Sequence, residues 1–157
     1  MIPQQVLDSV SNSVANDWHQ HSNGKGWVYK TARVDATAYL HLSSKVSGNA
    51  LVFGNALVSG NARVSGDALV FGDARVFGDA WEFSPLYLQG SRHALTLCSL
   101  NQIAIGCHIH DIDHWLKRYK AIGKSEGYTE EQIAEYGDHI TYIASVAKQL
   151  RTKGDAK

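Results

Sequence analysis

The chain lacks most of what would staple, interrupt or charge it. Cysteine occurs twice, as Cys98 and Cys107 in 157 residues, too few for a disulfide framework. Reduced thiols of a cytosolic protein are the simpler expectation. Proline occurs only at Pro3 and Pro85, so the long span between them is free of the residue that most often breaks a hydrogen-bonded ladder. An excess of either charge is missing too: 15 basic and 15 acidic side chains give a formal net charge of zero. That leaves no broad positive field for nonspecific nucleic-acid or membrane-surface binding. No stretch approaches the roughly 20 apolar residues of a membrane span. The opening Met1-Ile2-Pro3-Gln4-Gln5 has neither the basic nor the apolar block of an export signal. These absences lead us to expect a soluble cytoplasmic chain without membrane or nucleic-acid partners, long enough for one domain with terminal additions.

Glycine, by contrast, is placed with regularity. Gly48, Gly54, Gly60, Gly66, Gly72 and Gly78 recur every six residues, each followed by Asn or Asp, from Asn49 to Asp79. Two residues before each glycine stands a valine, from Val46 to Val76, and two before that a small residue, Ser or Ala. Looser units centred on Val34 and Leu40, with Ala32 and Ala38 in the small position, come first. Six is a multiple of two, so each valine and its small partner share one face of a short strand. The Gly-Asn/Asp pair supplies a corner. A helix would scatter these valines around its circumference and suffer a glycine every other turn. Hairpins have no room to reverse. A coil of three hexads remains, each coil stacked in parallel on the last with the valines inside.

These repeats resemble the hexapeptide-repeat (hexapeptide transferase-like) superfamily. The opening Gly26-Trp27-Val28, the Gly-Asn-Ala-x-Val units and the later Ile105-Gly106-Cys107 resemble a subgroup carried by bacteriophages and prophages. The resemblance implies a mainly β, left-handed parallel β-helix, usually assembled as a homotrimer. It also brings CoA-dependent acyl transfer, with acetyl-CoA as cofactor and a catalytic His on a projecting loop. The repeats here run without a break, which departs from that enzyme pattern.

We therefore expect an N-terminal helix and linker over 1–25, the β-helix over 26–106 and a helical segment over 107–157. Val6, Val10 and Val14 suggest the short first helix. Leu86-Tyr87-Leu88 and the alternation from Ala94 to Ile105 suggest another, irregular coil. Ile112, Trp115, Leu116, Tyr119 and Ile122 mark one C-terminal helix, with Asp111 as N-cap and Asp113 in its first turn. Thr129-Glu130-Glu131-Gln132 opens a second with a capping box. The helices are expected to fold back over strand edges.

Residues 18 apart share a wall, so the outer faces can be read. One wall carries Arg33/Asp35, Leu51/Phe53 and Leu69/Phe71. Such an apolar face is expected to pack on a neighbouring protomer or on the helices. A second carries Tyr39/His41, Leu57/Ser59 and Arg75/Phe77. The third carries Lys45/Ser47, Arg63/Ser65 and Trp81/Phe83, where two cations, two hydroxyls and an aromatic platform suit a phosphorylated, base-bearing ligand. Glu82 falls at an inward position that a carboxylate resists, so the face is expected to invert there, with Trp81 and Phe83 closing over the core.

The run Cys107-His108-Ile109-His110-Asp111-Ile112-Asp113-His114 gathers acid–base groups. His108, His110 or His114 would be the catalytic base if the protein is an acyltransferase. Cys107, His110 and His114 form a weaker candidate zinc set, though the spacing matches no strong motif. A structural role as helix entry is favoured. The functional expectation is a trimeric, non-enzymatic phage-type binding protein without cofactor. It would sequester a small phosphorylated, nucleotide-like host signal or inhibit a host protein in the host cytoplasm. The alternatives are a CoA-dependent acyltransferase and a structural assembly module.

Overall fold

The computed structural model describes residues 1–78, 80–81 and 84–154. Asp79, Glu82 and Phe83, and the expectations attached to them, lie outside the described residues. Two compact units divide at Pro85 and Leu86.

The first unit is a β-solenoid. After a one-turn helix α1 (Gln4–Leu7) and strand β1 (Trp18–Gln20) come β2 (Trp27–Tyr29), β3 (Arg33–Val34), β4 (Tyr39–Leu40), β5 (Lys45–Val46), β6 (Leu51–Val52) and β7 (Leu57–Ser59). They continue as β8 (Arg63–Val64), β9 (Leu69–Val70), β10 (Arg75–Phe77) and β11 (Ala80–Trp81). These strands line three walls: β2-β5-β8-β11, β3-β6-β9 and β4-β7-β10. Pairing is parallel, and the partners Arg33, Leu51 and Leu69 stand 18 residues apart, the spacing that three hexads dictate. The ladder runs from each N–H to a carbonyl of the next coil, as in Tyr39 N to Ala56 O (2.9 Å) and Lys45 N to Ala62 O (3.0 Å). Val46, Val52, Val58, Val64, Val70 and Val76 are at most 1% exposed, and the small residues two before them, Ser44 and five alanines, are equally enclosed. Each such valine contributes about 1.5 kcal/mol by leaving water.

Both ends of the prism break the pattern. At the start, β1 pairs with β2 in the antiparallel sense. At the finish, β11 aligns Ala80 with Arg63 and Trp81 with Val64, a step one residue shorter than the others. That step puts Trp81 on the valine face, fully enclosed, which is the inversion expected there. The N-terminal helix is shorter than the valine spacing suggested and stops at Leu7. Ser9 and Ser13 hydroxyls donate to the carbonyls of Val6 (2.5 Å) and Leu7 (2.7 Å), offering the backbone a competing set of bonds. Val14 is left 57% exposed.

The second unit corrects the expectation of a further coil. Strands β12 (Tyr87–Gln89), β13 (Ala94–Ser99), β14 (Gln102–Ile105) and β15 (His108–Asp111) form an antiparallel meander. The reason is turn spacing. Gly-Asn/Asp corners at every sixth residue give way to two-residue connections, Leu100-Asn101 and Gly106-Cys107, that reverse the chain. Helix α2 (Ile112–Ser125) follows directly, with Asp111 at its N-cap position and Asp113 in the first turn. The Asp111 carboxylate caps no helical N–H; it accepts from Gln102 Nε2 at 3.1 Å. Helix α3 (Glu130–Gly154) opens with the expected box: Thr129 N donates to Gln132 Oε1 (3.0 Å) and Gln132 N to Thr129 Oγ1 (3.2 Å). Trp115, Ile133, Tyr136, Ile140, Ile143 and Ala147 are buried among Leu95, Leu97 and Ile103 of the sheet's own core. The Trp115 indole N–H donates to Ile103 O at 2.8 Å. No described helix is long and apolar enough to cross a membrane.

Candidate functional site

The wall β2-β5-β8 carries the two cations singled out in the sequence, and the register puts them on adjacent rungs, Lys45 beside Arg63. Their environments differ. Arg63 is exposed and Ser65 half-buried. Lys45 and Ser47 are only 5% and 6% exposed. Lys45 is enclosed because the N-terminal arm lies over it, and its ammonium donates to the backbone oxygen of Gln5 at 2.6 Å. Val6, 1% exposed, is the apolar anchor of that arm. Burial, and then the charge of Arg63, push the Lys45 ammonium below its ordinary 10.5, while Asp8 pulls the other way.

Trp81 does not stand over this pair. Its inward register gives it to the core, and the ring is 0% exposed. The aromatic neighbour of Lys45 is Trp27, its register partner one coil earlier on β2. Trp27 lies half-buried and lines a cleft of about 240 Å³ together with Lys45, Ser43, Gln20, Leu42 and the arm residues Met1, Pro3, Gln5 and Val6. The 18-residue arithmetic that grouped Lys45 with Arg63 also reaches Trp27, so this residue was available from sequence. The arm was not: nothing in the spacing of residues 1–17 tells which rung they cover.

The expected apolar wall is present. Leu51, Phe53 and Phe71 are 38%, 38% and 39% exposed, with Leu69 half-buried beside them. Phe53 and Phe71 stack at a centroid distance of 6.2 Å and 29°.

In the second unit, strand alternation puts His108 and His110 on one face of β15, and the start of α2 brings His114 alongside. The rings form a column, His108 to His110 at 5.9 Å and His110 to His114 at 4.3 Å, with Trp115 edge-on to His110 at 5.1 Å. Burial, then the neighbouring His114 and His108, lower the proton affinity of His110, against a small opposing pull from Asp111. His108 Nε2 meets Glu126 Oε1 at 3.1 Å, a carboxylate-oriented imidazole. Cys107 is exposed in the turn ahead of β15 and does not join His110 and His114. Among the described residues, no three His, Cys, Asp or Glu side chains are grouped to hold a metal ion. The zinc set therefore lacks the geometry it needs, because alternation sets position 107 off the face of 108 and 110.

Compared with known proteins, the chain matches the family model described as YdcK beta solenoid repeat, over residues 45–60 and 56–70. This agrees with the coils described above and identifies a β-solenoid repeat protein. No curated protein and no solved structure matches the chain.

Proposed function

We propose that this β-solenoid repeat protein is a non-enzymatic, homotrimeric binding protein that holds a small phosphorylated, nucleotide-like ligand at the Lys45/Arg63 rungs. One observation carries the reading: a lysine 5% exposed stands beside a second cation and opens into a cleft with an aromatic ring and a hydroxyl. An ammonium has three donors, and Gln5 O takes one of them. Burying it next to Arg63 is unfavourable until an anion arrives. Phosphoryl oxygens suit both cations, and Trp27, rather than the enclosed Trp81, offers the stacking surface. The phage-type resemblance of the repeats makes a host signalling nucleotide the natural ligand class.

Trimerisation rests on the Leu51/Phe53/Leu69/Phe71 face, too apolar to remain in water. Arg33 and Asp35 at its base give each copy both charges for a partner copy. The direct test is titration calorimetry of the full chain with nucleoside mono-, di- and cyclic phosphates. Arg63→Gln and Lys45→Met are each expected to weaken the best binder at least tenfold. Affinity unchanged in Arg63→Gln would refute the site.

A second reading, CoA-dependent acyl transfer, draws on the His108–Glu126 pair, since an oriented imidazole is what a general base requires. Acetyl transfer abolished by His108→Gln would favour it.

A further inference from the structure

The second unit contains a cavity that the phosphoryl site does not involve. It measures about 50 Å³ and lies among α2, α3 and the Gly106-Cys107 turn. Since roughly 10–15 Å³ on this scale admits one water, it accommodates a group of several heavy atoms. Four large aromatic side chains line it, Trp115, Tyr119, Tyr128 and Tyr136, with His108 and Glu126 on its lining. Rings meet nearly at right angles: Tyr128 with Tyr136 at 5.1 Å and 77°, His108 with Trp115 at 6.5 Å and 86°. Perpendicular rings present π faces from more than one direction, and a π face is electron-rich.

The charges point the same way. Glu126 is the only carboxylate of the lining; its Oε1 meets His108 Nε2 at 3.1 Å, which leaves Oε2 for a guest, and beside it the lining carries His93 and His108 but no lysine or arginine among the described residues. Tyr128 adds no anion, because burial first and Tyr136 second push its hydroxyl up to about 12. The Arg92 guanidinium, which is not part of the lining, lies over one face of the Tyr128 ring at 4.7 Å, so that ring has the geometry for a cation–π contact while its occupied face is closed to a second cation.

We propose that this cavity is a seat for a small organic monocation, a tertiary or quaternary alkylammonium, held by the aromatic faces with Glu126 as counter-ion. An inorganic cation is disfavoured because the lining offers one carboxylate and no converging oxygen cage. A neutral molecule of the same shape gains burial but neither the ring field nor the carboxylate. Cation–π attraction of about 0.5–2 kcal/mol per well-placed ring is enough to separate the two.

The test uses tetramethylammonium and the near-isosteric neutral tert-butyl alcohol on the full-length chain at about pH 8, above the ordinary histidine range. Binding is read from the Trp115 indole N–H resonance, assigned with Trp115→Phe. A saturable shift is expected for the cation, with at least tenfold weaker binding of the alcohol. Glu126→Gln is expected to weaken the cation about tenfold, or about 1.4 kcal/mol. Tyr128→Phe keeps the ring and keeps binding; Tyr128→Leu loses it, with signal dispersion confirming that each variant is folded. Equal binding of cation and alcohol, an unchanged Glu126→Gln, or no saturable shift up to about 50 mM would each overturn the proposal. None of these outcomes bears on Lys45 and Arg63, so the two readings stand or fall separately.

Discussion

Gly48→Ala should damage the solenoid much more than the chemically identical Gly60→Ala. Both glycines occupy the left-handed region, at φ +63° and +60°. An alanine in either therefore carries a backbone cost of roughly 1–2 kcal/mol. Their surroundings differ. A Cβ on Gly48 would lie 2.8 Å from both the nitrogen and the oxygen of Gly66, backbone atoms of the next coil that cannot rotate away. On Gly60 the nearest atom is Gly78 N at 3.8 Å, an ordinary contact. Relieving the first clash means prising two coils apart where Ser47 N donates to Val64 O and Asn49 N to Gly66 O, both at 2.9 Å. Weakening that pair adds about 1 kcal/mol per bond. The expected losses are about 1–2 kcal/mol for Gly60→Ala and about 3–4 kcal/mol for Gly48→Ala. Gly54, whose added Cβ would sit 3.1 Å from Gly72 N and O, should fall between them. Urea unfolding followed by tryptophan fluorescence in a Trp115→Phe background reports on Trp18, Trp27 and Trp81 of the first unit. Equal m-values are needed for the comparison to count. A difference below about 0.5 kcal/mol would refute the claim that coil spacing at Gly48 is set by backbone-to-backbone approach.

Three other outcomes follow from single features. If the proposed trimer forms through the phenylalanine wall, Phe53→Asp should leave the monomer folded and lower the sedimentation coefficient in analytical ultracentrifugation; an unchanged coefficient would refute that interface. Tyr136→Phe should cost about 2–3 kcal/mol in the second unit. Its hydroxyl accepts from Arg92 N (3.1 Å) and His93 N (2.5 Å) and donates to His93 O (2.6 Å), and the buried ring leaves no water to replace it. Stability should also depend on pH through His110. Its folded value lies below the ordinary 6.5, so the unfolded chain binds more protons in the interval between the two. Stability is then full above about 6.5 and is lost as pH falls through that interval; unfolding midpoints of His110→Gln should show a flatter acid limb.

Much of the first unit is legible because its physics is local and repeated. A valine and a small residue every six positions, with Gly-Asn/Asp between, leave few ways to bury the one and bend at the other. The wall assignments then follow from counting, down to Phe53 beside Phe71 and Lys45 beside Arg63 on successive coils. The inversion at Trp81 was also legible, since the alternative buries Glu82. What failed to read through was context. The segment from Leu86 to Ile105 alternates as a solenoid strand would, and only its two-residue turns distinguish a meander. Lys45 looked like an outer-face cation because no local pattern reveals that the Gln5 carbonyl reaches it from 40 positions away. The aromatic cavity draws Tyr128 from a loop, Trp115 and Tyr119 from one helix and Tyr136 from another, so it exists only once the helices pack. In the sequence Trp115 and Tyr119 belong to the apolar face of one helix and Tyr136 to that of the next, while no pattern includes Tyr128.

The 18-residue step has a consequence for how such a chain can change length over evolutionary time. Duplicating 18 residues adds one whole coil and returns every later side chain to the wall it came from. Duplicating a single hexad keeps the valines inside but passes each later wall to its neighbour, so the phenylalanine face would be split between two sides. Losing one residue swaps inside for outside in everything downstream, and the shortened step to β11 has that character. The chain can therefore be lengthened in threes of hexads without disturbing its surfaces. The single-residue step, placed after the last valine, marks where that counting stops.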